Sequence, residues 1–354
     1  MSIHSEISNI IRKRIETGEY QPGKMIDSLR NLASEFKTSP EVIRLALNLL
    51  RKDGLIISQH GKGNFVAQNP VSFREVLVIT PLHGHIDQDI VSEFISRFSE
   101  HPEYRLIMED IKMGDNQIDY DYIERRSAEL SRMIDDRLEN GKLDAVFFNG
   151  SSRIRLSFLK KYINKVKLFC FHDISQLVEV PCPSVSIDYY HGYYIGLHHL
   201  LDKGCKNIMV ISLPENEQIY SFHADLLEQT AITECEEAGI NLHICHSAEE
   251  AFDYLAQNPE VDGIFAHADA CYIKLMKRFH ELGRSPGEDI AVVGYYNTPW
   301  AEMFNPELTS IEVFPKKIID EIISLYFSEP PYKTFVTKIR PKLVVRKSTE
   351  NFQK

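Results

Sequence analysis

The chain has 354 residues, 43% of them hydrophobic and 26% charged, with a formal net charge of -11. That length is too great for one ordinary core and suits a small domain beside a large two-lobed one, and the composition excludes a disordered chain. No apolar run approaches the roughly 20 residues of a membrane span, and residues 1–6 offer neither a basic leader nor an apolar stretch, so a cytoplasmic protein without a membrane partner is expected.

The charge is unevenly spread, +3 over residues 1–70 and -14 over the rest, so only the N-terminal piece suits phosphates. There, Ile7, Ile10, Ile11 and Ile15 recur at helical spacing, and Gly18 stops the helix. Asp27 or Ser28 caps a second helix that buries Leu29, Leu32, Ala33 and Phe36. Ser39 caps a third, with Pro40 at its first position and Glu41 suited to the helix dipole, and this one ends at Gly54. Two β runs at 55–58 and 64–67 flank the turn Gln59-His60-Gly61-Lys62-Gly63. Three helices and a hairpin predict a winged helix, whose third helix fits a major groove and whose Gly-rich hairpin comes close to phosphate.

These stretches resemble the GntR-family DNA-binding domain over residues 5–67. The resemblance is carried by residues 18–23, Ser28-Leu29-Arg30-Asn31-Leu32-Ala33, Ile43-Arg44-Leu45-Ala46-Leu47, Asp53-Gly54-Leu55-Ile56 and the wing 61–66. It implies that Arg30, Ser39, Arg44, His60, Gly61 and Lys62 touch an operator in double-stranded DNA. Three positions depart from the family pattern: Asp27 replaces a usual Pro, Pro40 a DNA-contacting Arg, and Glu41 stands near a common Thr. The operator is therefore expected to differ from the family's commonest one.

After a linker at 70–73, buried β runs alternate with amphipathic helices. The strands are expected at 76–80, 104–109, 145–149, 167–171, 207–212, 242–245, 263–266 and 290–294. Such alternation means parallel sheet covered on both faces, with ligands at the carboxyl ends of strands. The fold class is α/β: a winged helix (1–69), then two doubly wound lobes (74–354) of the periplasmic-binding-protein-like type. The first lobe is expected at about 74–187 and 312–330, the second at about 188–311 and 331–348, giving a third crossing near Pro331.

This larger part resembles the LacI/GalR effector domain, through Pro183-Ser184-Val185-Ser186-Ile187-Asp188, residues 199–204, residues 282–294, Pro306-Glu307-Leu308-Thr309-Ser310-Ile311 and residues 341–349. Together the two parts have the architecture of arabinose-repressor-like regulators. The resemblance implies a homodimer and a small effector, a monosaccharide or deoxy sugar first among candidates and a non-sugar metabolite second. Asp173, His83 and Asp269 are the candidates by position to accept ligand hydroxyls, Phe222 and Trp300 to stack on an apolar sugar face, with Asp188, Tyr296 and Asn297 beside them. Asp269 also reads as a helix N-cap and Asp188 as a crossover clip. Ala268 replaces an expected Asn, Tyr296 an expected Asp, and Leu227 an expected Arg, so a standard hexose or purine pocket is not expected.

The chain has no Gly-x-Ser-x-Gly elbow, Walker loop or His-Glu-x-x-His, so no enzyme, cofactor or metal is expected. The six cysteines form no Cys-x-x-Cys pair and read as reduced packing residues, Cys182 and Cys271 being those nearest a possible pocket. His198 and His199 diverge by about 100° on a helix, too far to chelate. A solute-binding protein or enzyme without DNA function is the alternative, and residues 1–67 argue against it.

Overall fold

The computed structural model describes residues 3–59, 61–68, 73–82, 85–111, 120–150, 156–172, 180–212, 221–328 and 336–353. Among them no helix is long and apolar enough to cross a membrane.

The N-terminal head consists of α1 (Ile3–Glu16), α2 (Leu29–Glu35), α3 (Pro40–Lys52) and an antiparallel hairpin, β1 (Ile56–Gln59) and β2 (Gly63–Val66). Short-range chemistry sets its corners. Ser28 accepts from the Asn31 amide and Ser39 from the Val42 amide, while Gly18 and Gly54 adopt the positive φ that ends a helix cleanly. Ile11, Leu32, Ile43, Leu47, Leu50 and Val66 close a small core of its own.

The first lobe runs β3 (Arg74–Thr80), α4 (His85–Ser99), β4 (Tyr104–Asp110), α5 (Tyr120–Glu139), β5 (Leu143–Asn149), a 3-10 turn at Leu156–Tyr162, β6 (Lys167–His172) and β7 (Ser184–Ile187). The second contains α6 (Tyr189–Asp202), β8 (Asn207–Ile211), α7 (Ser221–Ala238), β9 (Asn241–Cys245), α8 (Ala248–Gln257), β10 (Gly263–Ala266), α9 (Asp269–Glu281), β11 (Ala291–Tyr295), α10 (Trp300–Met303) and β12 (Thr309–Glu312). The chain then returns through α11 (Pro315–Phe327) and β13 (Val336–Ile339) before ending near β14 (Lys342–Val344). The sheet orders are β4-β3-β5-β6-β7-β13 and β9-β8-β10-β11-β12-β14, parallel throughout except for β14. Val76, Leu77, Val78 and Ile79 are all fully buried, as strands covered on both faces must be.

The third crossing corrects the sequence expectation. Val336–Ile339 pairs in parallel with β7 of the first lobe, and the chain changes lobe only between β13 and β14, at Arg340 and Pro341, not near Pro331. Pairing with β7 satisfies backbone groups on that side of both strands, so the sheet keeps the chain in the first lobe through Ile339.

Helix α6 lies unusually close to the second sheet. Gly192 and Gly196 share one face, and a Cβ on Gly196 would fall 2.2 Å from the buried Phe265 ring. Gly196→Ala is expected to cost about 1–3 kcal/mol through overpacking. A urea midpoint equal to that of the parent chain would show that the helix is not pressed there.

Candidate functional site

Two surfaces carry the expected function. On the head, Arg30 is exposed in the first turn of α2, and Ser39 caps α3. Arg44 projects from α3 beside Glu41, its Nε and Nη2 donating to the two carboxylate oxygens at 3.1 and 2.6 Å. Arg51 ties that helix to the wing, donating to Asn48 at 2.8 Å and to Asn64 at 3.2 Å. Gly61 and Lys62 are exposed at the hairpin tip, with Gly61 at φ 73°. His60 lies outside the described residues.

The head is docked on the first lobe at the amino-terminal ends of its strands. Asp53, at the end of α3, accepts from Arg12 of α1 and from Lys142, just before β5, the latter at 2.8 Å. All three side chains are largely buried, at 15, 8 and 21% exposure for Asp53, Arg12 and Lys142. Asn9 donates to Asn140 alongside. Burial would raise the Asp53 carboxyl, but Lys142 and Arg12 outweigh it and hold the group below the ordinary aspartate range. A shallow concavity of about 540 Å³ opens near this end of the lobe, lined by Leu143, Lys167 and Cys182 among others.

At the opposite, carboxyl-terminal strand ends the two lobes face each other across an aromatic cluster. His172 ends β6 and meets Tyr189 of α6 edge-on at 6.4 Å. Tyr189 stacks on Tyr295 at 6.2 Å, and His267 stands 5.2 Å from the Tyr296 ring. Thr80 and Asn149, ending β3 and β5, are buried and bonded to each other at 3.2 Å. Asp188 caps α6 through the His191 amide, and its own amide donates to Ile339 at 2.9 Å, which pins a crossover. His83, Asp173 and the Phe222 side chain lie outside what is described.

Asp269 corrects its expected role. Its carboxylate is fully buried and accepts from Ser310 Oγ at 2.6 Å, from Thr298 N at 2.7 Å and from Thr298 Oγ1 at 2.9 Å. Its acceptors are committed to these donors, and it does not cap α9, whose N-cap is Ala268. Asn297 is similarly committed, donating to Glu312 at 2.5 Å and accepting from Arg346 at 2.7 Å. Trp300, 40% exposed, opens the single-turn α10.

Burial pushes the Asp269 carboxyl up to about 6, against the lowering effect of the Ser310 and Thr298 donors. The unfolded chain ionises near 3.8, so the stability this group contributes is full below that pH and is lost as pH rises toward 6. The span corresponds to on the order of 3 kcal/mol. Urea unfolding at about pH 4 and pH 7 checks it: Asp269→Asn is expected to flatten this part of the curve, and an unchanged slope would contradict the shift.

The profile of the gntR family of bacterial regulatory proteins matches residues 3–66, and that of a periplasmic binding protein-like domain matches residues 197–349. The chain joins a GntR-family head to a periplasmic-binding-protein-like domain. It is 26% identical to a ribose operon repressor of Halalkalibacterium halodurans over 63% of this chain and 75% of that one. It is 24% identical to an arabinose metabolism transcriptional repressor of Geobacillus stearothermophilus, over 95% and 94% of the two chains. A LacI family regulator of Arthrobacter sp. FB24, solved in complex with lactose, shares the fold with a TM-score of 0.60 at 18% identity, covering 78% of this chain and all of that one.

The departures from the GntR pattern have local explanations. Asp27 accepts from the Tyr20 hydroxyl at 2.5 Å, fixing the approach to α2, and Glu41 holds the Arg44 fork. In the periplasmic-binding-protein-like domain, Leu227 is fully buried in the core of the lobe, a position unsuited to a pocket-facing charge. The buried aromatic cluster of His172, Tyr189, Tyr193, Tyr295 and His267 was not foreseen from the sequence. Four of them end a strand, directly follow one or open the first helix after a crossover, the positions where an α/β fold presents side chains to ligands. Lys142, for which no local signal exists, was not foreseen either.

Proposed function

We propose that the protein is a cytoplasmic, homodimeric transcriptional repressor of a carbohydrate-utilisation operon that releases its operator when a small sugar closes the two lobes. The observation that carries this reading is the joining, in one chain, of a winged helix with an exposed Arg44 to a two-lobed domain on which the head is docked through Asp53 and Lys142. The relatives, repressors of ribose and arabinose operons, support the ligand class and a regulatory rather than enzymatic role.

Tyr296 places a ring beside His267 where the family has a carboxylate. A ring offers an apolar face and fewer acceptors, which favours a deoxy sugar or pentose over a hexose. Asp173 and His83 complete the site in this reading. Ligand closure has to favour one head arrangement by about 1–3 kcal/mol to regulate DNA binding.

A thermal-shift screen against monosaccharides, deoxy sugars, sugar phosphates and nucleobases tests the sensor, since a ligand of the folded state must raise its stability. A sugar that shifts the parent chain and not Asp173→Ala supports the assignment. A panel without any shift, for a chain that still binds DNA, withdraws the sugar reading.

A further inference from the structure

The outer strand of the second lobe and the helix after it assemble a donor set that neither the sequence motifs nor the regulatory reading uses. Along β9, side chains alternate: Leu242 and Ile244 pack into one core, while Cys245 belongs to the core on the opposite face, so His243 shares the Cys245 side. Helix α8 covers that side and brings Glu250 in from its first turn. The donor atoms of His243, Cys245 and Glu250 lie within 4.8 Å of one another.

Each of the three is held without its donor capacity being used up. The His243 ring stacks on Tyr254, centroids 3.5 Å apart and planes 4° from parallel, which fixes the ring and leaves its nitrogens at the edge. Glu250 accepts from the His246 amide at 2.7 Å through one oxygen, leaving the other. Among the described residues, neither the His243 nitrogens nor the buried Cys245 thiol has a hydrogen-bond partner. Helix capping explains Glu250 alone; it does not explain an imidazole and a thiol converging on the same carboxylate.

We propose that His243, Cys245 and Glu250 bind a thiophilic divalent cation of the zinc class. A sulfur, a nitrogen and one carboxylate oxygen are the donors such an ion takes, at roughly 2.0–2.3 Å, with a fourth position left to water. Calcium and magnesium, which take oxygen donors, do not fit. Closing the donors from their present spacing needs small side-chain rotations, for which the exposed Glu250 has room while one of its oxygens keeps the His246 amide. The thiol, pushed up to about 12 by burial, binds as thiolate and gives its proton to solvent. Because the Ser212 amide donates to the Cys245 carbonyl at 2.9 Å, the ion would clip the edge strand to α8 next to the ligand-facing end of β8.

Cobalt(II) titration of the full-length, chelator-treated protein tests this, as thiolate ligation gives a near-ultraviolet charge-transfer band. One cobalt per chain is expected, displaced by zinc, with the band lost in Cys245→Ser and in Cys245→Ala. Glu250→Gln, an exposed change that keeps a carbonyl to accept from the His246 amide, is expected to weaken binding by about tenfold or more, so that a given zinc concentration raises the melting temperature of the parent chain more than that of this variant. Absence of stoichiometric binding, or a band that survives in the Cys245 variants, overturns the proposal.

Discussion

Arg44→Ala is expected to lower affinity for an operator by about 10- to 100-fold, the worth of the one bidentate base contact proposed for it, roughly 1–3 kcal/mol. The side chain is exposed on α3, where the Glu41 carboxylate one turn earlier holds it. That pair engages Nε and Nη2 and leaves the Nη1 donors unused by Glu41. If Arg44 reads a base edge as proposed, the variant is expected to fall toward its non-specific affinity rather than to lose DNA altogether. Lys62→Ala at the wing tip gives the contrast: a uniform weakening over all sequences and a salt slope smaller by about 1, as for a phosphate contact. Fluorescence anisotropy at two salt concentrations separates the two. An Arg44→Ala protein that keeps its preference for the selected sequence would remove α3 from base readout.

Asp53→Ala is expected to destabilise the head by about 3 kcal/mol, because it leaves the Arg12 guanidinium and the Lys142 ammonium buried without their shared partner. Arg12 Nε already lacks a hydrogen-bond partner among the described residues. Lys142→Ala is expected to cost only about 1 kcal/mol, since Arg12 still neutralises Asp53. A double-mutant cycle over the two positions then gives the coupling of this one pair across the head–lobe contact. The carboxyl is held below its ordinary value, so its contribution is present at neutral pH and disappears as pH falls through the depressed value. Equal, small effects of both substitutions on unfolding would mean that the head moves free of the lobe in solution.

The head was largely legible because its determinants are local. Ser28, Ser39, Pro40 and Gly54 mark helix ends through interactions spanning three or four residues, and the structure starts or ends helices at or beside each of them. The lobes were legible for a different reason: strands buried on both faces must be continuously apolar, and that pattern survives without any knowledge of partners. The sites fared less well because they are made by distant residues. Asp53 and Lys142 are 89 positions apart, and no periodicity connects them. Asp269 looked like a ligand acceptor by position, but a Gly294 without a Cβ lets its carboxylate turn inward, where an added Cβ would sit 2.2 Å from Oδ1. His243 and Cys245 were two residues of an ordinary edge strand until α8 folded over them.

The most direct test of the regulator reading is selection of randomised duplex DNA by the full-length protein, run with and without a mixed pool of pentoses, hexoses and deoxy sugars. Enrichment of an inverted repeat whose two halves reflect a dimer is expected, with loss of that enrichment when the sugar that shifts the melting temperature is present. A motif that enriches equally in both selections, or no motif at all, would contradict it.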